Sequence, residues 1–103
     1  MKVHHLVALS VALLFAGNAL ADEALLKKSN CTTCHNMEKK TVGPSLKAIA
    51  AKYSGDATAQ AKLEAKVRSG GKGSFGTMDM PKTGPNVSDA DIKAMVSWIL
   101  AIK

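Results

Sequence analysis

Apolar positions recur with a helical period in four places along the chain, and nowhere do they alternate with polar ones over the length of a strand. The clearest run is C-terminal: Ile92, Met95, Val96, Ile99 and Leu100 stand at i, i+3, i+4, i+7 and i+8, one apolar face of a helix. Ser88 followed three residues later by Asp91 resembles a capping box at its start, with Asp a shorter stand-in for the usual Glu. Upstream, Asp56 opens a run that holds Leu63 and Val67 and stops at Gly70-Gly71. Ser45 precedes Leu46, Ile49, Ala50 and Tyr53, a short helix ended by Ser54-Gly55. A first helix, capped by Asp22 and carrying Ala24, Leu25 and Lys28, leads into a segment with both cysteines. The pattern predicts an all-α domain of four helices.

Two stretches predict no regular element, residues 36–44 and 70–87. The second contains Gly70, Gly71, Gly73, Gly76, Pro81, Gly84 and Pro85, too many breakers for a helix or strand. An irregular stretch of that length is uncommon in a small domain unless it has a task.

The N-terminal segment is read apart from the fold. Met1-Lys2 gives a positive start, and Leu6 to Ala16 is an apolar run of 11 residues, shorter than the ~20 a permanent bilayer span requires. Gly17-Asn18 breaks the run, and Ala19-Leu20-Ala21 supplies the small-x-small pattern of a signal-peptidase site. Residues 1–21 are therefore expected to be a cleaved export signal, and residues 22–103 the mature domain of 82 residues. Removing Lys2 lowers the net charge from +6 to +5, a basic excess that favours an anionic partner or surface. It also removes His4 and His5, leaving His35 as the sole histidine.

Length and composition then limit the function classes. A single short domain excludes a multidomain enzyme, and 47% hydrophobic residues argue against bulk disorder. Aromatic residues make up only 4% of the chain, so the side chains that bury most area in small domains are scarce. A peptide core of this size rarely supplies more than about 3–5 kcal/mol and needs reinforcement. A disulfide between Cys31 and Cys34 would close too short a loop to provide it.

Cys31-Thr32-Thr33-Cys34-His35 fits the c-type haem attachment pattern. In that chemistry two thiols add across the vinyl groups of haem at neighbouring pyrroles, and two intervening residues let one tight turn span the gap. The histidine that follows is carried under the macrocycle to serve as an axial ligand. Competing readings fare worse. A structural zinc site takes four ligands, and the mature chain has three Cys and His in all. A thioredoxin-like dithiol is expected beside a βαβ pattern, and no strand is visible.

The mature chain resembles the small bacterial class I cytochromes c of the periplasmic electron-carrying type. The resemblance rests on CTTCH at 31–35, VGPSLK at 42–47, IAAKYSG at 49–55, GGKGSFG at 70–76, MPK at 80–82 and VSDADIKAMVSWIL at 87–100. It implies a compact four-helix fold wrapped around one covalently bound haem c, with thioethers from Cys31 and Cys34 and axial ligation by His35 and a methionine. Met37, Met78, Met80 and Met95 are available after the signal, and the resemblance places the ligand at the Met80-Pro81 step, with Met78 the main rival. Met37 lies too near His35, and Met95 falls in the apolar stripe of the last helix.

By the same resemblance, the Pro44 carbonyl accepts a hydrogen bond from the axial histidine and Lys66 pairs with a haem propionate. Phe75 replaces a Trp that donates to a propionate in relatives; having no N–H, it is expected to pack at the haem edge. Thr83 and Asn86 are both candidate donors to the methionine sulfur, and Trp98 is expected in the core rather than in an electron relay.

The implied role is a monomeric one-electron carrier, with no nucleic-acid partner and no stable membrane insertion. Its donor would be a membrane quinol-oxidising complex, and its acceptor a terminal oxidase, a nitrite reductase or a peroxidase. Lys27, Lys28, Lys39, Lys40, Lys47, Lys72 and Lys82 flank the segments expected near the haem edge, where they either steer docking or are plain solvated lysines. The rival class is an open-site haem sensor or peroxidase-like protein.

Replacing Cys31 and Cys34 together by Ala, in cells competent for cytochrome maturation, is expected to give a colourless chain without a cooperative thermal transition. A colourless protein that melts cooperatively would show that the peptide core suffices.

Overall fold

The helices form where the sequence periodicity places them, and side-chain caps set the starts of two of them. The computed structural model describes residues 23–103; the export signal and the Asp22 cap lie outside the described residues. Residues 23–28 are helical (α1) and lead through Asn30, in the left-handed region at φ 62°, into a single 3-10 turn at Cys31–Thr33. Three further helices follow: α2 at Leu46–Lys52, α3 at Ala59–Ser69 and α4 at Asp89–Leu100.

Ser45 caps α2, its Oγ accepting from the Ala48 N–H at 3.0 Å. Ser88 caps α4 in the same way, accepting from the Asp91 N–H at 3.1 Å. The expected box is only half formed, because the Asp91 carboxylate returns no bond to Ser88. Helix α3 begins three residues later than Asp56, since Asp56 organises the preceding turn. Its Oδ1 accepts from the Thr58 N–H at 2.8 Å and the Thr58 hydroxyl at 2.6 Å, and its Oδ2 pairs with Lys62 at 3.2 Å.

Helix α4 packs against both α2 and α3. Ile92, Met95, Val96 and Ile99 are buried, as the stripe requires, with Ile92 and Val96 fully enclosed. Leu26, Leu46, Ile49 and Val87 complete the core cluster, and Trp98 is half-buried against it. Gln60 of α3 clips the helix pair together by donating to the Lys93 carbonyl and accepting from Ser97.

Helix α3 departs from an ordinary amphipathic helix. Of its residues only Ala59 is buried, while Leu63 and Val67 on its apolar face remain half-buried. That face looks into a cavity rather than onto a complete peptide core. Among the described residues there is no β-strand, only isolated antiparallel bridges pairing His35 with Lys40 and Gly71 with Met80. This is the all-α, four-helix arrangement expected.

The two hydrogen bonds from Thr58, joined by Lys62, hold the Asp56 carboxyl below its ordinary value. Its contribution to stability is present above the unfolded-state pKa of about 3.9 and is lost as pH falls through the lower folded-state value. Asp56→Ala is therefore expected to lower the thermal midpoint at neutral pH, with the gap from the parent closing as pH falls below the carboxylate range. A gap that persists in acid would assign the loss to something other than the charged carboxyl.

Candidate haem site

The CTTCH segment is built by backbone hydrogen bonding, and the loop after it turns back on it. The Cys34 and His35 N–H groups both donate to the Cys31 carbonyl, at 3.2 and 3.0 Å, making one tight turn of the segment. Residues 36–44 then fold over the turn. The Gly43 N–H and the Thr41 hydroxyl donate to the Cys34 carbonyl at 2.8 and 2.7 Å, and the Leu46 N–H donates to the Asn36 carbonyl at 2.8 Å.

This closure brings the Pro44 carbonyl to the imidazole, where His35 Nδ1 donates to it at 2.8 Å. A carbonyl can only accept, so the proton is on Nδ1 and the lone pair of the neutral ring is on Nε2. The approach depends on Gly43. A Cβ there would stand 2.7 Å from His35 Cε1 and 3.0 Å from Nδ1. The sequence reading passed over this glycine; a Gly-Pro step just ahead of a capped helix was its only signal.

His35 and both cysteines line a cavity of about 780 Å³. The cysteines are half-buried and not bonded to each other. Burial pushes the Cys31 thiol up from its ordinary value, a backbone hydrogen bond opposes the shift, and the neighbouring Cys34 adds to it. Nucleophilic dithiols need the opposite, a depressed thiol.

Leu46, Ile49, Met95, Val96 and Ile99 form one wall of the cavity, so the core cluster is also the cavity floor. Leu63 and Val67 of α3 form another wall, and the Gly/Pro stretch 71–81 closes the remaining side. Cofactor pockets commonly occupy ~300–1,000 Å³, with apolar walls and a few placed polar groups. The volume, the apolar walls, the thiol pair and an imidazole with a free Nε2 together fit a covalently attached haem.

The other sequence-derived residues separate clearly. Met80 is half-buried on the cavity wall, its backbone paired with Gly71 by two bonds of 3.0 and 2.9 Å. Gly70 allows this pairing at φ 69°, where a Cβ would fall 2.4 Å from the Met80 carbonyl oxygen. Met78 also reaches the cavity mouth but is 66% exposed, and Met95 is buried in the core that floors the cavity. Met37 lies outside this cavity, lining a separate hollow of about 170 Å³ with Leu26 and Trp98.

Lys66 and Phe75 both line the main cavity. The Phe75 ring is held by the Lys52 ammonium, 4.4 Å from its centroid, and Lys52 also donates to the Ser74 carbonyl. Of the lysines flanking the site, Lys40 and Lys72 line the cavity, whereas Lys47 is paired with Glu38 at 3.1 Å. Thr83 and Asn86, the candidate donors to the methionine sulfur, follow the cavity-lining stretch and are not themselves among its walls. The Thr83 N–H instead donates to the Val67 carbonyl at 3.1 Å, which draws this part of the chain onto α3.

Arg68 was also missed in the sequence. Its guanidinium donates to the carbonyls of Thr83 at 3.2 Å, Gly84 at 2.9 Å and Val87 at 2.8 Å, and pairs with Asp89 at 2.6 Å. It is the only arginine among 14 basic residues, the one signal that set it apart.

Helices arranged around an apolar cavity, with a thiol pair and a fixed imidazole at its edge, define a haem-binding all-α domain. The chain belongs to the cytochrome c family, whose family model matches residues 16–103, and it carries a covalently attached haem c. It is 52% identical over 91 residues to cytochrome c-551 of Allochromatium vinosum, spanning 88% of this chain and 96% of that one. It is 51% identical over 92 residues to cytochrome c-552 of Nitrosomonas europaea, spanning 89% and 88%. The crystal structure of the wild-type Nitrosomonas europaea cytochrome c552 superposes with a TM-score of 0.74 at 48% identity, covering 79% of this chain and 99% of that one.

Gly70→Ala is expected to destabilise the haem-loaded protein by about 1–3 kcal/mol more than Gly73→Ala. Both residues have positive φ, but a Cβ at Gly73 meets nothing within 4 Å. Urea midpoints measure the difference, and equal losses would show that the contact between Gly70 and the Met80 backbone is not limiting.

Proposed function

We propose that this cytochrome c is a periplasmic one-electron carrier in which Cys31 and Cys34 would form the two thioethers and His35 and Met80 would ligate the iron. The observation that carries the reading is the His35 Nδ1–H···O=C Pro44 bond, which commits one ring nitrogen to the backbone and leaves Nε2 as the donor to iron, in a cavity that Met80 shares. That bond fixes the ring's orientation and raises its basicity as a ligand.

When bound, the haem iron supplies a reversible one-electron couple between ferric and ferrous states. The residues around it hold that couple closed to other chemistry. His35 is fixed through Pro44, and Met80 through its paired bonds with Gly71. Two ligands supplied by rigidly held chain leave no position for substrate, which separates a carrier from a sensor or peroxidase-like protein. A thioether ligand favours the ferrous state and so raises the reduction potential.

Met80 is favoured over Met78 because its side chain is half-buried and its backbone pinned, whereas Met78 stands mostly in solvent. Pro44, Lys66 and Phe75 are assigned as haem contacts, Lys66 as a propionate partner and Phe75 as an edge residue.

Around the cavity mouth, Val42, Phe75 and Met78 are exposed apolar residues, with Lys40 and Lys72 close by. An acidic partner surface would be steered to such a site, and the steering would weaken with salt. The donor is a membrane quinol-oxidising complex and the acceptor a terminal oxidase, nitrite reductase or peroxidase. No helix among the described residues is long and apolar enough to cross a membrane. The export signal at 1–21, cleaved after Ala21, delivers the chain to the periplasm.

The oxidised spectrum tests the ligand set. Met80→Ala is expected to abolish the weak far-red methionine–iron band and lower the reduction potential, while Met78→Ala leaves both nearly unchanged. The reverse outcome would move the ligand to Met78. A parent protein that lacks the band and binds carbon monoxide rapidly would be an open-site haem protein instead.

A further inference from the structure

We infer that Arg68 is a positioning residue for the sixth ligand: it clamps the segment that follows Met80 onto α3 and so sets how readily the methionine leaves the iron. The inference rests on the assignment of Met80 as that ligand.

Met80 is anchored on its N-terminal side by the two bonds to Gly71. On its C-terminal side the chain has little backbone hydrogen bonding of its own. Pro81 and Pro85 have no N–H, and the Val87 N–H makes only a local turn with the Gly84 carbonyl. What ties residues 81–87 to α3 is the Thr83 N–H on the Val67 carbonyl and the Arg68 guanidinium on three further carbonyls.

A planar fork of five donors suits this task, because one side chain serves acceptors that face it from three points of an irregular strand. The ion pair with Asp89 adds little, since that carboxylate is 95% exposed. The carbonyl bonds carry the effect, each charge-assisted and therefore stronger than a neutral one. Without the clamp, the single Thr83–Val67 bond would be what ties the chain after Met80 to α3.

The rate at which excess cyanide replaces the methionine in the oxidised, haem-loaded protein reads the clamp directly. Arg68→Met is expected to bind cyanide about tenfold faster or more, the scale of losing one charged hydrogen bond. Its far-red band should still be present before cyanide is added. Arg68→Lys, which keeps the charge but not the fork, is expected to fall between variant and parent, and supplies the test should Arg68→Met fail to mature.

Gln60→Ala controls for general loosening, because Gln60 also clips α3 to α4 but touches nothing between residues 80 and 87. It should leave the cyanide rate within about twofold of the parent, well inside the spread expected from weak hydrogen bonds. Arg68 variants at the parental rate, or Gln60→Ala as fast as Arg68→Met, would overturn the inference. If Met80→Ala keeps the far-red band, the ligand assignment fails and this inference with it. If Met80→Ala loses the band while Arg68→Met binds cyanide at the parental rate, only the role of Arg68 fails.

Discussion

The apolar core of this domain also forms the floor of a large cavity, and the need to fill that cavity governs the rest of the structure. Leu46, Ile49, Met95 and Ile99 border a cavity of about 780 Å³, and Leu63 and Val67 on its other wall remain only half-buried. Leaving such a surface to water would forgo roughly 25 cal/mol for each Å² of apolar area. Covalent haem resolves the difficulty by supplying a large, rigid, apolar partner that cannot dissociate. The low aromatic content follows from the same logic, because the porphyrin takes the place of the bulky side chains that small domains otherwise need.

A group that fills the core must also be held in register, and here the irregular segments matter more than the helices. Both are fixed by specific hydrogen bonds where regular structure is missing. On the histidine side, the Cys34 carbonyl gathers Gly43 and Thr41, and the fold-back delivers the Pro44 carbonyl to the imidazole. On the methionine side, Gly70, Gly71 and Arg68 at the end of α3 hold the chain before and after Met80. Both arrangements use a glycine where a Cβ would collide, with the ring at Gly43 and with backbone at Gly70. The helices provide apolar walls; the loops determine which side chains face the cavity.

The cavity mouth combines exposed Val42, Phe75 and Met78 with Lys40 and Lys72. Lys52 steadies this edge by lying over the Phe75 ring and bonding the Ser74 carbonyl, which ties the glycine-rich stretch to the end of α2. An apolar rim with positive charge close by suits brief encounters, since the charges speed approach while a small contact area lets the partner leave.

The periodicity of apolar residues was enough to set the helices, because side chains that must share a face recur every 3.6 residues whatever they pack against. Ser45 and Ser88 were legible as caps for a similar reason: a cap acts within one turn of the chain. The attachment motif was legible because its chemistry is confined to five consecutive residues. The later start of α3 was not, since Asp56 has the composition of a cap but bonds the turn before the helix. Gly43, Gly70 and Arg68 were hidden for a different reason. Each acts on a partner between about eight and nineteen positions away, and no local pattern reveals which distant carbonyl or ring a residue will meet. Sequence alone thus determined the helices, the caps and the haem-binding segment, all governed by short-range stereochemistry. Resemblance already pointed to the Pro44 carbonyl and to Met80; only the tertiary structure decided how Gly43 admits the ring, how the Met80 backbone is pinned and what binds the chain after it, because those outcomes depend on contacts that exist only once the chain has folded back on itself.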